Sequence, residues 1–221
     1  YFEAAEVHAW DLAFVSAIRL AQILGPDLGR HDDAMLWAKH AELQLGRLPD
    51  RQGLHRAILD AARALTLSKM DRTEEAIVKF ESALAIREAS LGSSHTLIAT
   101  TLNNLATAYA RGGQLDRAEP LYQRALSVWR TTLGGHHPKV ATALLNLAVL
   151  QRSLGDLDAA ERVGAEALAV PKRAVGARHP TLAQAYANLA TVQSTLGRFE
   201  ESEANYRHAL RIFEEIYPPG N

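Results

Sequence analysis

Three asparagines, Asn104, Asn146 and Asn188, stand 42 residues apart. A carboxamide both donates and accepts, so one such side chain can pair with the C=O and N–H of a single peptide unit. Each asparagine lies one residue before a leucine of an apolar helical stripe. Its own helix face is therefore shared by the residues four before, three after and seven after. That face reads Thr100, Asn104, Thr107 and Arg111; then Thr142, Asn146, Val149 and Ser153; then Gln184, Asn188, Thr191 and Thr195. Packed helices lie about 8–10 Å apart and an extended chain advances about 3.3 Å per residue. One amide per helix thus meets an extended ligand at roughly every third residue. Each hydrogen bond contributes about 0.5–1.5 kcal/mol net, so three give weak, sequence-tolerant binding and side-chain pockets must set specificity. The competing reading is structural: the amides bond neighbouring turns and fix helix packing.

Other chemistry is thinner. His95, His137 and His179 share the same 42-residue step, with His136 adjacent. A metal site needs several ligands within about 2.0–2.2 Å of one ion, which helix starts one repeat apart do not supply. These histidines read as helix-entry residues whose rings pack on the preceding turn. Glu200, Glu201 and Glu203, with Glu214 and Glu215, could be paired carboxylates. Arg198, Arg207 and Arg211 lie among them, and a solvated helix face explains them better. Trp10, Trp37 and Trp129 read as packing or capping residues. No Ser/His/Asp order, glycine-rich phosphate loop or His-Glu-x-x-His is present. No catalytic residue, metal or cofactor is expected.

Composition narrows the class. The 24 Lys+Arg and 25 Asp+Glu give a net charge of −1, against a nucleic-acid binder with a basic face and against polybasic membrane docking. The longest apolar stretch, Ala141 to Leu150, is interrupted by Thr142 and Asn146 and is too short to span a bilayer. With no cysteine, disulfides, Cys-ligated zinc, iron–sulfur clusters and thiol catalysis are excluded, and a reducing cytoplasm is the expected location. The chain opens on Tyr1 without a methionine and reads as a piece of a longer protein.

The elements that would position the asparagines follow from the same period. Gly113, Gly155 and Gly197, Ala125-Leu126, Ala167-Leu168 and Ala209-Leu210 all repeat at 42. Leu102, Leu105, Ala106 and Tyr109 form one helix face, and Ala118, Leu121, Tyr122, Ala125 and Leu126 another. Arg111-Gly112-Gly113-Gln114 supplies a turn in which glycine takes a left-handed C-cap conformation. His137-Pro138 and His179-Pro180 open helices, since a first-turn proline has no partner for an N–H to lose. Helices are expected near 95–111, 114–132, 137–153, 156–174, 179–195 and 198–216. Gly164 stands where Tyr122 and Tyr206 stand and leaves room in mid-helix; Pro171 should bend the end of that helix. Upstream, the frame places Asp60, Arg63, Ala64 and Leu67 on the core face. A shift of two gives Ile58, Ala61, Ala62 and Leu65, an apolar set, so the shifted register behind a longer turn is expected.

The pattern L-x2-L-A-x2-Y-x3-G-x4-A-x3-Y-x2-A-L, from Leu102 to Leu126, resembles the tetratricopeptide repeat. The form with Leu91-Gly92 and a helix-opening histidine resembles the 42-residue type of kinesin light chains, most clearly over 93–217. The resemblance implies an all-α solenoid of about five stacked antiparallel helix hairpins. A divergent hairpin would occupy 1–50, a divergent repeat 51–92, and repeats 93–134, 135–176 and 177–217, with a further one starting at 218–221. In that family the first helices line a concave surface and the asparagine position contacts bound peptide backbone, which carries over to Asn104, Asn146 and Asn188.

Among the twelve face residues only Arg111 is charged. The two-carboxylate clamp of chaperone-binding relatives needs Lys or Arg where this chain has Thr100, Thr142 and Gln184. The expected partner is therefore a fairly neutral protein or peptide segment, with no nucleic acid and no membrane, and with weak self-association through the end repeats. Two alternatives stand beside this. The array could be the sensor region of a larger signalling enzyme, such as a bacterial serine/threonine kinase, or a self-associating scaffold.

Overall fold

The computed structural model describes residues 2–48, 53–174 and 179–217. The described residues form helices and no strand. In chain order these are α1 (Phe2–Gln22), α2 (His31–Leu45), α3 (Leu54–Lys69), α4 (Thr73–Leu91), α5 (Thr96–Arg111), α6 (Leu115–Leu133), α7 (Pro138–Leu154), α8 (Leu157–Ala174), α9 (Pro180–Thr195) and α10 (Phe199–Ile216). From α5 onward every bound falls within one residue of the sequence expectation. Residues 218–221, where a further repeat was expected to begin, lie outside the described residues.

Punctuation explains the bounds. His95, His137 and His179 stand at helix starts as expected, and are half-buried. Each Nδ1 accepts a hydrogen bond from the backbone N–H two residues on, at 3.1, 3.1 and 3.2 Å. The ring thus acts as an N-cap, filling one of the four donors a helix start leaves open. At the other end of the first helices the backbone turns left-handed. Gly113, Gly155 and Gly197 have φ of 75°, 85° and 77°. The same step backwards reaches Asp71 at φ 57° and Gly29 at φ 68°, so five successive turns share one geometry. Asp71 is the only non-glycine among the described residues at positive φ, a region that costs an L-residue about 1–2 kcal/mol.

The chain divides into two compact units, Tyr1–Gln114 and Leu115–Asn221. The division falls in the turn between α5 and α6, inside the span expected as one repeat. Each unit is a stack of antiparallel helix pairs of the α-solenoid class. In the first, α1 packs on α2, α3 on α4, and α5 on both α4 and α3. In the second, α6, α7, α8, α9 and α10 pack successively, and α7 also touches α9. After α1 comes a π-helical turn, Ile23–Asp27, containing Pro26. Proline lacks the N–H that an α-helical rung requires, so the ladder widens there. Gly25 fits because a Cβ would lie 2.8 Å from Thr66 Oγ1 and 2.9 Å from the Ala34 Cβ.

Two sequence expectations need correction. The first concerns α3: the unshifted frame is the real one. Asp60, Ala64 and Leu67 are buried and Arg63 is half-buried; of the shifted set only Ala62 is buried, Ala61 and Leu65 are half-buried and Ile58 is exposed. A core aspartate is tolerated because its carboxylate accepts from Ser82 Oγ at 2.8 Å and meets Lys79 Nζ at 3.3 Å. Arg63 likewise reaches Glu42 at 2.6 Å, and Arg56 meets the other Glu42 oxygen at 3.0 Å. Donation from Arg63 lowers the Glu42 pKa from 4.5 to about 2; desolvation opposes this, and the charges of both arginines add to it. The second correction concerns apolar length. The segment Glu6–Asp27 is long and apolar enough to cross a membrane by length and composition. In the structure its Phe14, Ala17, Ile18 and Ala21 are buried with Ala38, Ala41, Leu59 and Ala62.

Candidate functional site

In the second unit, α7 and α9 carry the site. His137 and His179 cap their starts, Pro138 and Pro180 occupy the first turns, and Gly155 closes α7 in a left-handed cap. One face of each helix is spent on the core: Leu144 and Leu147 of α7, and Leu182, Tyr186 and Leu189 of α9, are all buried. The opposite edges, which bear the asparagines, border a cleft of about 450 Å³. It is lined by Thr142, Leu145, Asn146 and Val149 from α7 and by Pro180, Thr181, Gln184 and Asn188 from α9.

Five residues singled out from the sequence, Thr142, Asn146, Val149, Gln184 and Asn188, thus border one cavity. Asn146 and Asn188 are half-buried; Thr142, Val149 and Gln184 are exposed. Gln184 Nε2 donates to Asn188 Oδ1 at 3.1 Å. Thr142 Oγ1 donates to the Pro138 carbonyl at 3.3 Å. Leu145 is buried and forms the floor. No lining residue is ionisable, so the cleft is electrically neutral and offers amides, one hydroxyl-bearing pair and an apolar base.

Leu145, Pro180 and Thr181 escaped the sequence reading. A strict stripe through the asparagine omits the residue beside it and the opening turn of the next first helix. A helix face about 100° wide would have included Leu145, and the repeated His-Pro helix start pointed to Pro180.

The remaining candidates lie elsewhere. Thr191 is outside the cleft lining: its Oγ1 donates to the Ala187 carbonyl and sits 2.9 Å from the Tyr206 hydroxyl. Asn104, Thr100, Thr107 and Arg111 belong to α5 in the first unit. Asn104 is half-buried, and its Oδ1 lies 3.5 Å from Nδ2 of the buried Asn103. Thr100 and Thr107 donate back to the carbonyls of Thr96 and Asn103 at 3.0 and 2.9 Å. Arg111 reaches Asp71 at 2.6 Å, so the one charged residue of the twelve is already in an ion pair.

Two of the acidic residues around 200 are in structural use too. Glu201 accepts from Gln193 at 3.0 Å and Glu203 pairs with Arg207 at 2.6 Å. Among the described residues no group of three or more His, Asp or Glu side chains is placed to hold a metal ion.

Known proteins share this fold. The family model described as tetratricopeptide repeat matches residues 55–126, 97–173 and 165–215. No curated protein matches the chain. Among solved structures, BtubC (BKLC) from P. vanneervenii superposes with a TM-score of 0.75 at 22% identity, covering 100% of this chain and 94% of that one. A putative kinesin light chain of Podosopora anserina with nearly identical TPR-like repeats gives 0.76 at 19% identity, over 91% and 94% of the two chains. The Rap conjugation gene regulator of plasmid pLS20, solved in complex with the Phr* peptide, gives 0.73 at 16% identity, over 97% of this chain and 57% of that one.

Proposed function

The chain belongs to the tetratricopeptide repeat family and is of the protein-interaction type; we propose that it binds an extended, uncharged stretch of a partner protein in the cleft between α7 and α9. The observation that carries this is the convergence of Asn146 and Asn188, one from each helix, on a neutral cavity of about 450 Å³. Because Gln184 occupies the Asn188 Oδ1, the Nδ2 hydrogens of Asn188 remain to donate to a ligand carbonyl. Leu145 and Val149 receive a small or aliphatic ligand side chain, which supplies the specificity that main-chain hydrogen bonds lack. An acidic segment is disfavoured, since its carboxylates would lose water with no cation to replace it. Asn104 with Thr100, Thr107 and Arg111 on α5 of the first unit is proposed as a separate peptide contact, and Thr191, bonded to Tyr206, as a residue beside the cleft. That a fold neighbour was solved with a peptide bound supports a peptide as the ligand class.

The test is a random peptide library selected on the 221-residue chain. Selected sequences should be poor in Asp and Glu. The Asn146→Ala/Asn188→Ala double variant should bind them about tenfold more weakly, the equivalent of two hydrogen bonds of about 0.7 kcal/mol each, with a nearly unchanged melting temperature. Acid-rich selected sequences would refute the neutral reading. A large fall in melting temperature would return the asparagines to a packing role.

A further inference from the structure

We propose that Gln184 is a positioning residue of the cleft: it holds the Asn188 carboxamide as a donor, so the ligand residue bound there needs no N–H and can be proline. The assignment rests on the peptide reading of the cleft and adds which kind of residue its α9 side takes. The three asparagines share one repeat position, and the residues one helical turn before them, Thr100, Thr142 and Gln184, share another. The two threonines turn back along their helices. Their hydroxyls donate to the carbonyls of Thr96 and Pro138 at 3.0 and 3.3 Å. Gln184 turns forward, and its Nε2 donates to Asn188 Oδ1 at 3.1 Å. The repeat thus presents its asparagine in two settings, and on α9 a second carboxamide stands one turn before it.

Direction matters because the two ends of a carboxamide ask for opposite groups: Oδ1 accepts and Nδ2 donates. With Oδ1 turned to Gln184, the NH2 group lies on the other side of the Asn188 Cγ and asks for a ligand carbonyl. The lining beside it makes no call for a ligand N–H of its own. The single hydroxyl proton of Thr142 is spent on Pro138, and the Thr181 N–H is spent on His179 Nδ1 at 3.2 Å. Leu145, Val149 and Pro180 supply carbon to pack against. A proline has a carbonyl to accept with, a ring to bury, and no N–H to leave unpaired in the cleft. Its fixed φ also lowers the entropy lost when the ligand is ordered.

The test takes one library-selected peptide and methylates each of its backbone nitrogens in turn. Dissociation constants are measured by isothermal titration calorimetry on the 221-residue chain, on Gln184→Met and on Gln184→Glu. Methionine keeps the length and frees the Asn188 carboxamide. Glutamate accepts from Nδ2 and so turns Oδ1 to the ligand. At one peptide position methylation should cost the parent chain less than twofold but cost Gln184→Glu about two- to twelvefold, the equivalent of one hydrogen bond of about 0.5–1.5 kcal/mol. Gln184→Met should fall between them. Proline at that position should bind the parent chain as tightly as the unmodified residue. With Asn188→Ala added, the difference between glutamine and glutamate should vanish. A methylation profile identical on all three chains, a difference that survives Asn188→Ala, or a parent chain weakened by every methylation would each overturn the proposal while leaving peptide binding in place. A peptide whose affinity is untouched by Asn146→Ala/Asn188→Ala would instead overturn the underlying reading of the cleft.

Discussion

Gly164 offers a substitution whose sign the structure sets. It is buried in the middle of α8, where glycine is about 0.8–1.0 kcal/mol less favourable than alanine. A Cβ added there would meet Leu189 Cδ1 at 3.5 Å and the Leu189 Cβ at 3.9 Å, ordinary contact distances. Gly164→Ala therefore gains helix propensity and a buried methyl group of about 0.8 kcal/mol. Part of that methyl term is lost to imperfect fit, so the expected stabilisation is about 1–1.5 kcal/mol. Leucine is different: three further carbons must enter the space that Leu189 already fills, and overpacking costs about 1–3 kcal/mol. Gly164→Leu should thus cancel the gain or reverse it. The assay is urea unfolding followed by Trp129 fluorescence in a Trp10→Phe/Trp37→Phe background, because Trp129 lies in the same compact unit as α8. A destabilised Gly164→Ala, or a Gly164→Leu variant as stable as the alanine one, would show that Leu189 does not sit against α8 as described.

Three further outcomes follow from the polar substitutions of the first unit. Lys79→Met should destabilise by about 1–3 kcal/mol by leaving the buried Asp60 carboxylate short of a partner. Asp60→Leu/Lys79→Met, which installs the leucine of the later repeats, should return to within about 1 kcal/mol of the parent in urea unfolding. Asp71→Gly should raise stability by about 0.5–1 kcal/mol in the same assay, since relief of left-handed strain exceeds the loss of an exposed ion pair to Arg111. Glu42 should govern part of the acid sensitivity. Its pKa is depressed in the folded chain to about 2 from 4.5, so its ionised form stabilises the fold above pH 4.5 and that contribution drains away as pH falls toward 2. In melting curves taken across this window, Glu42→Gln should flatten the pH dependence; an unchanged slope would contradict the Arg63–Glu42–Arg56 arrangement.

How much of this was legible in the residues depends on whether the signal was local. The helices from α5 to α10 could be placed to within a residue because His-Pro starts and glycine ends act through backbone groups one or two residues away. The register of α3 could not. Asp60 and Arg63 look unfit for a core until Ser82, Lys79 and Glu42 are brought to them from other helices, so the apolar set at Ile58 looked better than it is. The π turn at Pro26 and the division at Gln114 have no counterpart in the 42-residue pattern. For the cleft, the asparagine stripe located five lining residues. Pro180 and Thr181 entered only because α9 begins beside α7, a proximity that the repeat implies but does not mark.

The most direct test of the account is an NMR titration that follows the side-chain NH2 resonances of Asn146, Gln184 and Asn188 as an uncharged library-selected peptide is added. The account predicts that these three shift together and saturate with one dissociation constant, while the NH2 signal of Asn205, which donates to Gln193, stays in place. Saturable binding that leaves the three cleft amides unmoved would contradict it.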